Sequence, residues 1–311
     1  MKKNTVFFVA GFLTAAVLLF FIGSSFYKSN DEQTDFPQGY RIISPEVPGE
    51  LDFSDERVPL ENFEVFERID RELVVNTYYH SATILSIKRS RRWFPVIEPI
   101  LEKNGIPDDF KYLMVAESGI SNVISPAGAT GFWQFIEGSA LKYGLEVNEE
   151  VDERYHVEKS TEAACRYLRE AYILFGSWTV AAASYNMGIP GVTKQLEKQK
   201  TKNYYNLVLS EETSRYIARI IALKEIMNSP EKYGFDIKED DLYNELPYEE
   251  AAVTGSIANL ADWSAERGIN YKILKLYNPW LRDIALKNVN NKTYSIKIPE
   301  MGSIEVIKEG N

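Results

Sequence analysis

A helical pattern that extends from Glu61 almost to Leu246 constrains the fold of this chain more than any other feature. Phe66, Ile69 and Leu73 recur at the spacing that lines one face of a helix. Glycine, serine and proline interrupt the pattern at residues 104–107, at Gly119, at residues 176–178 and at residues 229–230. The stretches between these breaks predict helices that include Lys159–Phe175, Thr179–Tyr185 and Glu211–Met227. Residues 61–245 are therefore expected to form a mainly α domain.

After Leu246 the pattern changes to the order strand, helix, helix, strand. Ala251–Val253 and Tyr294–Ile298 have the apolar or alternating composition of short strands. Residues 257–267 and Tyr271–Tyr277 lie between them and have helical spacing. We therefore expect a second, small α+β domain with a βααβ order over residues 250–300.

The N-terminus carries an uncharged, mostly apolar run from Thr5 to Phe26, preceded by Lys2 and Lys3. As a helix this run is long enough to cross a hydrocarbon core of about 30 Å. A cleaved signal peptide is the alternative, although residues 22–25 make only a weak cleavage site. Residues 1–27 are thus expected to be a membrane anchor or signal sequence. Because paired lysines favour a cytoplasmic N-terminus, the anchor would hold the rest of the chain outside the inner membrane.

Residues 28–60 are expected to be a linker, because they combine four prolines with many acidic side chains.

The composition excludes several kinds of chemistry. A zinc site usually takes three or four ligands from Cys and His, and the chain offers only Cys165, His80 and His156. His156 is expected to be a surface residue. The net charge of −10 argues against a nucleic-acid partner, since phosphates need a basic face. The remaining classes are an enzyme that works through carboxyl groups, without a metal or an organic cofactor, a binding module and a scaffold.

Glu117 is the carboxyl group that the sequence singles out. It closes the apolar run YLMVAE at residues 112–117, directly before the expected helix end at Gly119. A carboxyl group that is partly desolvated has a raised pKa and can act as a general acid near neutral pH. The alternative is a solvated glutamate on the polar side of an amphipathic helix.

Three further motifs follow the Glu117-Ser118 pair in order: GATGFWQF at residues 128–135, ASYNMG at 183–188 and ETSRYI at 212–217. Together they resemble the lytic transglycosylases of the lysozyme-like superfamily, of the membrane-bound lytic murein transglycosylase D type. The resemblance extends from about residue 61 to residue 243, and flanking segments such as GIPDD at 105–109 support it. It implies a lysozyme-like transglycosylase domain.

The resemblance implies that Glu117 acts first as acid and then as base on peptidoglycan glycan strands. The bond cut would be the β-1,4 bond between N-acetylmuramic acid and N-acetylglucosamine. The C6 hydroxyl of the muramic acid would then attack its own C1 and leave a 1,6-anhydro end. Since the nucleophile is intramolecular, no second catalytic carboxylate is required.

Four residues are implied to contact the sugar. Ser118 would orient it, unless the hydroxyl bonds its own backbone instead. Gln134 would offer a donor and an acceptor to an acetamido group, unless it is a satisfied buried amide. Tyr185 and Asn186 would hold the side of the site that receives the C6 hydroxyl.

Two more residues are implied in the last motif, where Tyr216 would approach Glu117 and Glu212 would be an acid of the cleft. Phe132 and Trp133 are expected to pack the core, because aromatic residues in apolar stretches are usually buried. Met187 stands where the family has a small residue or Cys, which changes the expected shape of the sugar pocket.

Residues 250–300 resemble a LysM module, a small unit that binds glycans containing N-acetylglucosamine. VTGSIANL at 253–260 and LKLYNP at 274–279 carry this resemblance. The usual Gly-Asp-Thr-Leu opening is missing, so glycan binding and a purely structural role both stay open.

Two alternatives to the transglycosylase hypothesis remain. A lysozyme-type hydrolase would use the same acid with water, and in its inverting variant a second carboxylate would activate that water. Glu137, Asp152 and Glu153 are available in the sequence for this role but match no such pattern. A non-catalytic, membrane-tethered protein would only bind peptidoglycan. In each case we expect the protein in the bacterial cell envelope, on the periplasmic side, with cell-wall synthesis proteins as possible partners that the sequence does not identify.

Overall fold

The computed structural model describes residues 42–300 and Gly302. The predicted membrane segment, residues 5–26, lies outside that part of the chain. The chain divides into two units, Met1–Ser44 and Pro45–Asn311, and the second contains all the elements described below. Within residues 42–300, no helix has both the length and the apolar character needed to cross a membrane.

Ten α-helices and four strands are described in the second unit. The helices are α1 (Phe63–Tyr78), α2 (His80–Lys103), α3 (Phe110–Ser118), α4 (Glu137–Lys142), α5 (Val157–Phe175), α6 (Trp178–Met187), α7 (Ile189–Gln199), α8 (Glu211–Asn228), α9 (Leu260–Ala265) and α10 (Tyr271–Tyr277). The strands are β1 (Asp52–Phe53), β2 (Glu56–Arg57), β3 (Tyr248–Val253) and β4 (Tyr294–Pro299). The expected fold class, mainly α followed by a small α+β unit, is confirmed.

Helix α3 lies in the centre of the helical domain. Its residues from Phe110 to Val115 are all buried, and it packs against α8 and α2. Helix α1 makes its main contact with α8 through Val65, Ile69 and Leu73. The expectation that Phe66 belongs to this face is wrong, because its ring is 44% exposed. Positions 65, 69 and 73 are four residues apart and lie on one side of the helix, whereas position 66 is turned about 100° away from Val65.

The expected linker over residues 28–60 is too long, because residues 45–60 belong to the folded unit. Leu51, Phe53 and Val58 are buried in the main core, and the Phe53 ring meets the ring of Phe110 edge to face at 5.2 Å. The composition of this segment did not indicate the packing, because its few buried apolar residues are separated by more numerous charged and turn-forming residues. The remaining residues up to 41 lie outside the described part.

Strands β3 and β4 pair antiparallel, with Tyr248 opposite Pro299 and Val253 opposite Tyr294. Helices α9 and α10 lie between the two strands in the sequence, as the predicted βααβ order requires. Leu260, Leu274 and Ile296 form part of the core of this unit.

The helical domain contributes Val151 and Tyr155 to the core of the βααβ unit, so the two share apolar packing. His156 lies at this junction and is not a surface residue as expected. Its imidazole is 11% exposed, Nδ1 lies 3.0 Å from the Glu158 carboxylate, and the ring stacks on Trp280.

Candidate active site

Glu117 lies one residue before the end of α3, where Gly119 adopts the left-handed conformation (φ 58°) that terminates the helix. Glu117 as a residue is intermediate in exposure, at the end of a helix whose residues 110–115 are buried. Burial is the main reason that its pKa is raised to about 7. The negative end of the helix dipole also disfavours an anion at this position. A large part of the Glu117 population is therefore protonated at neutral pH.

Helix α8 presents the second wall of the site. The Tyr216 hydroxyl donates a hydrogen bond to Oε1 of Glu117, and the phenol is buried. Burial and the nearby Glu117 charge raise the pKa of Tyr216 well above its ordinary value, so the phenol keeps its proton. This hydrogen bond and the charge of Arg219 lower the pKa of Glu117, while the charge of Glu212 raises it.

Asn186 connects α6 to α8. Its Nδ2 donates to Glu212 Oε1 at 3.3 Å, and its Oδ1 accepts from the Thr213 hydroxyl at 2.8 Å. Glu56, from the folded segment 45–60, accepts hydrogen bonds from the backbone N–H groups of Trp178 and Thr179 at the start of α6. The helix that carries Asn186 is thus held at both ends.

Tyr185 lies beside Asn186, and its hydroxyl donates to the backbone oxygen of Trp133 at 2.8 Å. Burial is the first cause that raises its pKa well above the ordinary value, and the Glu117 charge is the second. Trp133 and Phe132 are themselves buried, as expected. The bond from Tyr185 therefore fixes the loop of residues 128–135 against α6.

Gln134 is held in this loop with a left-handed backbone (φ 50°). Its Nε2 donates to the backbone oxygens of Val123 and Gly131 at 3.1 and 2.7 Å. Gly131 has φ 80°, and a Cβ atom there would lie 2.0 Å from the backbone oxygen of Arg154. Only glycine permits this close approach, which presses the loop against residues 153–155.

Ser118 follows Glu117, but its Oγ donates to the Met114 backbone oxygen at 3.3 Å. This is the local backbone bond that is the alternative to a contact with the sugar. The hydroxyl still has lone pairs that can accept a hydrogen bond.

The structure thus brings together Glu117, Tyr216 and Glu212 by direct bonding or charge, with Asn186 joined to Glu212. The Glu117 charge raises the pKa of Tyr185, and the Tyr185 hydroxyl is hydrogen-bonded to the loop that carries Gln134. Ser118 adjoins Glu117 in the chain and bonds its own helix.

Arg219 and Glu72 were missed at the level of sequence. Arg219 lies three residues after Tyr216 and seven after Glu212, a spacing that places all three on one face of α8. Glu72 of α1 is only 1% exposed and pairs with Arg215 at 3.0 Å and with Arg219 at 3.6 Å. The face of α8 could have been found from this spacing, but the pairing with Glu72 depends on tertiary packing.

The acids considered for a hydrolase lie in other surroundings. Asp152 is bound by the Arg154 guanidinium at 2.7 and 2.9 Å, and Glu153 accepts from Lys159 and from the Glu146 backbone. Glu137 is exposed at the start of α4. None of the three is among the charges that shift the pKa of Glu117. In the described residues, no group of three or more His, Cys, Asp or Glu is arranged to hold a metal ion.

Comparisons with known proteins match two parts of the chain. Residues 95–208 match the family model of the transglycosylase SLT domain, and residues 249–302 match that of the soluble lytic transglycosylase C-terminal LysM-like domain. Two curated relatives, from Escherichia coli K12 and from Escherichia coli O6:H1, are both named membrane-bound lytic murein transglycosylase D. Each is 27% identical over 232 residues, which cover 73% of this chain and 50% of the relative. The chain spans about half the length of these relatives, and it carries a transglycosylase SLT domain followed by a C-terminal LysM-like domain.

Proposed function

We propose that this protein is a peptidoglycan lytic transglycosylase that cuts the β-1,4 bond between N-acetylmuramic acid and N-acetylglucosamine and forms 1,6-anhydromuramic ends. The observation that carries the proposal is the state of Glu117, a partly exposed acid with a pKa of about 7 that is bonded to a neutral phenol. A general acid works best when its pKa lies close to the working pH.

The hydrogen bond from Tyr216 assigns different tasks to the two carboxyl oxygens. Because the phenol donates to Oε1, the acidic proton belongs on Oε2. Oε2 then protonates the glycosidic oxygen as the bond to C1 of the muramic acid breaks and an oxocarbenium-like centre develops.

In the second step Glu117 acts as the base. Its carboxylate takes the proton from the C6 hydroxyl of the same sugar while O6 forms a bond to C1. The proton returns to Glu117, the leaving sugar keeps the first proton, and no water is consumed. The hydrogen bond from Tyr216 supports this step, since it stabilises the carboxylate that exists between the two proton transfers.

The surrounding residues would present mainly acceptors to the sugar. Tyr185 and Ser118 each donate their single hydroxyl hydrogen to a backbone oxygen, and both amide hydrogens of Gln134 are similarly used. What remains free is the lone pairs of these groups. We infer that they receive hydrogen bonds from the acetamido N–H and the hydroxyl groups of the substrate.

A lysozyme-type hydrolase is the second candidate function, and Glu212 is the observation that favours it. Its charge acts on Glu117, and its carboxylate is exposed and bonded only to Asn186 among the described side chains. A carboxylate in that place could activate a water molecule in the way that inverting glycosidases do.

Mass spectrometry of the products separates the candidates. The purified protein is incubated with peptidoglycan, and the released fragments are weighed. Fragments lighter by one water and lacking a reducing end support the transglycosylase. Reducing ends support the hydrolase, and intact sacculi that retain the protein support a non-catalytic binder. Release of anhydro products by a Glu117→Gln variant contradicts the role of Glu117.

The cellular placement is part of the same proposal. A peptidoglycan substrate requires the catalytic domain to act in the cell envelope, and the name of the relatives includes membrane binding. We infer that residues 5–26 hold the protein in the inner membrane, with the folded unit on the periplasmic side. Fractionation of cells, followed by protease treatment of spheroplasts, tests this placement.

A further inference from the structure

The LysM-like unit is joined to the catalytic domain by backbone as well as side chains. The Asp152 N–H donates to the Trp280 oxygen at 2.8 Å, and the Arg282 N–H donates to the Glu150 oxygen at 2.7 Å. Val151 pairs with Leu281 between these bonds in a short antiparallel bridge. Residues 150–152 of the catalytic domain and residues 280–282 of the LysM-like unit thus pair like two short antiparallel strands, which fixes the relative position of the two domains.

Ion pairs reinforce the junction on both sides. Three acids of the catalytic domain face three lysines of the LysM-like unit: Glu146 with Lys292 at 2.9 Å, Glu150 with Lys287 at 3.4 Å, and Glu158 with Lys297. A module that moved freely on a linker would not hold this set of matched pairs.

A groove of about 520 Å³ lies along this junction. The segment of residues 123–135, which includes the loop of residues 128–135, contributes Ile124, Gly128 and Thr130, and the LysM-like unit contributes Arg282. The same loop carries Gln134, whose amide bonds the Val123 oxygen next to Ile124. One wall of the groove is therefore formed by the same stretch of chain that carries Gln134.

Arg282 is the available cation of this groove. Its guanidinium lies 4.3 Å above the Tyr155 ring, and its side chain is bonded to the backbone oxygen of Pro279. Among the described residues, no carboxylate lies within ion-pair distance of it. The other arginine of the groove, Arg154, is already engaged by Asp152 in a two-pronged ion pair. Arg282 is thus an exposed, stacked cation on a protein with a net charge of −10.

We propose that this groove binds a carboxylate of the peptide stem on the glycan strand that occupies the catalytic cleft, with Arg282 as the partner of that carboxylate. The inference rests on the proposed function, because peptidoglycan is the polymer that carries carboxylates on side branches next to its sugars. A guanidinium fixed over an aromatic ring presents its N–H edge to a carboxylate with little loss of side-chain entropy. The LysM-like unit would then complete the substrate site of the catalytic domain.

Binding to two kinds of glycan strand tests the proposal without relying on catalysis. The full chain with Glu117→Gln is mixed with purified strands that keep their peptide stems and with strands from which an amidase has removed them. Adding Arg282→Gln should weaken binding to the stem-bearing strands about fivefold, as expected for one exposed charge-assisted contact. It should leave binding to the stripped strands unchanged.

Arg267 provides the matched control. It lies on the same unit with its guanidinium 3.7 Å from the Trp263 ring, but it does not line the groove. Arg267→Gln removes an equal charge and should change neither affinity. Glu137 does line the groove, so Glu137→Gln should strengthen binding to stem-bearing strands by removing repulsion.

Three results overturn the proposal: no loss with Arg282→Gln, an equal loss on both kinds of strand, or a parent protein that binds both kinds equally. The binding measurements are separate from the test of the proposed function, which is the release of anhydro products by the protein that retains Glu117. A failure of either claim can therefore be recognised by itself.

Discussion

Glu117 at the candidate active site and Glu158 at the domain junction are both partly exposed glutamates, yet the pKa values of their carboxyl groups shift in opposite directions. Burial raises the pKa of Glu117 to about 7, because a phenol and more distant charges are all that stabilise its anion. Burial also acts to raise the pKa of Glu158, but a hydrogen bond from His156 and the charge of Lys297 outweigh it and bring the pKa to about 2.

The difference shows how one residue type serves two purposes in the same chain. At the junction Glu146, Glu150 and Glu158 each face a lysine, so their charges contribute to holding the domains together. At the candidate active site, no cation of the described residues lies within ion-pair distance of Glu117, and the acid stays partly protonated. This costs stability at neutral pH and, under the proposed function, supplies the proton for the reaction. Substitutions at the two sites should therefore have opposite consequences for activity and stability.

The largest effect is expected from Glu117→Gln. We expect the rate of anhydro-product release to fall by about 10³-fold or more, because the variant has neither an acid nor a base. Glu158→Gln should retain most of the activity, since this carboxylate lies at the junction. Initial rates on solubilised peptidoglycan measure both variants. An equal loss of rate in the two variants would contradict a catalytic role that belongs to Glu117 and not to Glu158.

The variants Glu117→Gln and Glu158→Gln should also change the free energy of unfolding in opposite directions. The Glu117 pKa in the folded state lies above the ordinary value of 4.5, so folding binds a proton and the stability from this group is lost as pH rises from about 4.5 through 7. At pH 8 Glu117→Gln should therefore be more stable than the parent, by about 2 kcal/mol or less. At pH 4 the difference should disappear in urea unfolding.

Glu158→Gln should instead lower the free energy of unfolding at pH 7 by about 2 kcal/mol, because Lys297 and His156 lose their anion. Since the folded pKa of Glu158 lies below 4.5, its contribution is present above pH 4.5 and is lost as pH falls toward 2. The effect of the substitution should therefore vanish near pH 2.

Glu170→Gln is the matched control for this loss. Its carboxylate pairs with Lys142 at 2.9 Å on the open surface, where both side chains are about half exposed. Such pairs contribute about 0.5 kcal/mol or less. A loss from Glu170→Gln as large as that from Glu158→Gln would contradict a special role for the junction.

A smaller effect is expected from Tyr216→Phe, which removes the hydrogen bond that lowers the pKa of Glu117. The alkaline limb of the rate profile should move to higher pH, and the maximal rate should fall about tenfold because the carboxylate loses its donor. A pH profile of initial rates measures both changes.

Tyr204→Phe is the control for a lost buried hydroxyl, since Tyr204 bonds the backbone oxygens of Thr213 and Ser214 on the same helix. It should reduce stability and leave the pH profile in place. A limb that stays fixed in Tyr216→Phe would show that the phenol does not control the acidity of Glu117.

The features of this structure that the sequence predicts are those that depend on residues close together in the chain. The apolar run before Glu117 and the glycine after it are local, and they predicted both the helix end and the raised pKa. The packing of Phe53 on Phe110 and the pairing of Glu72 with Arg219 join residues far apart in the chain. The periodicity of the sequence does not indicate such long-range contacts. The folding of residues 45–60 and the ion pair between Glu72 and Arg219 are therefore seen only in the structure.

The junction illustrates the same limit from the opposite direction. The βααβ order was readable from composition, yet His156 was expected on the surface because nothing near it in the sequence indicates Trp280. The apolar ring that covers it comes from the other domain. A residue at a domain contact looks like a surface residue to any argument that treats the two domains separately.

The smallest effect is expected from Glu212→Gln, and its sign distinguishes the two candidate reactions. The Glu212 charge raises the pKa of Glu117, so its removal should move the alkaline limb to lower pH by less than about half a unit, opposite to Tyr216→Phe. The maximal rate should change by less than about threefold if the C6 hydroxyl is the nucleophile, since that reaction needs no second carboxylate. If Glu212 instead activated water, the rate should fall by about 10²-fold or more, and the residual products would carry reducing ends. Rates and product masses from this one variant therefore decide whether Glu212 only raises the pKa of Glu117 or takes part in the reaction.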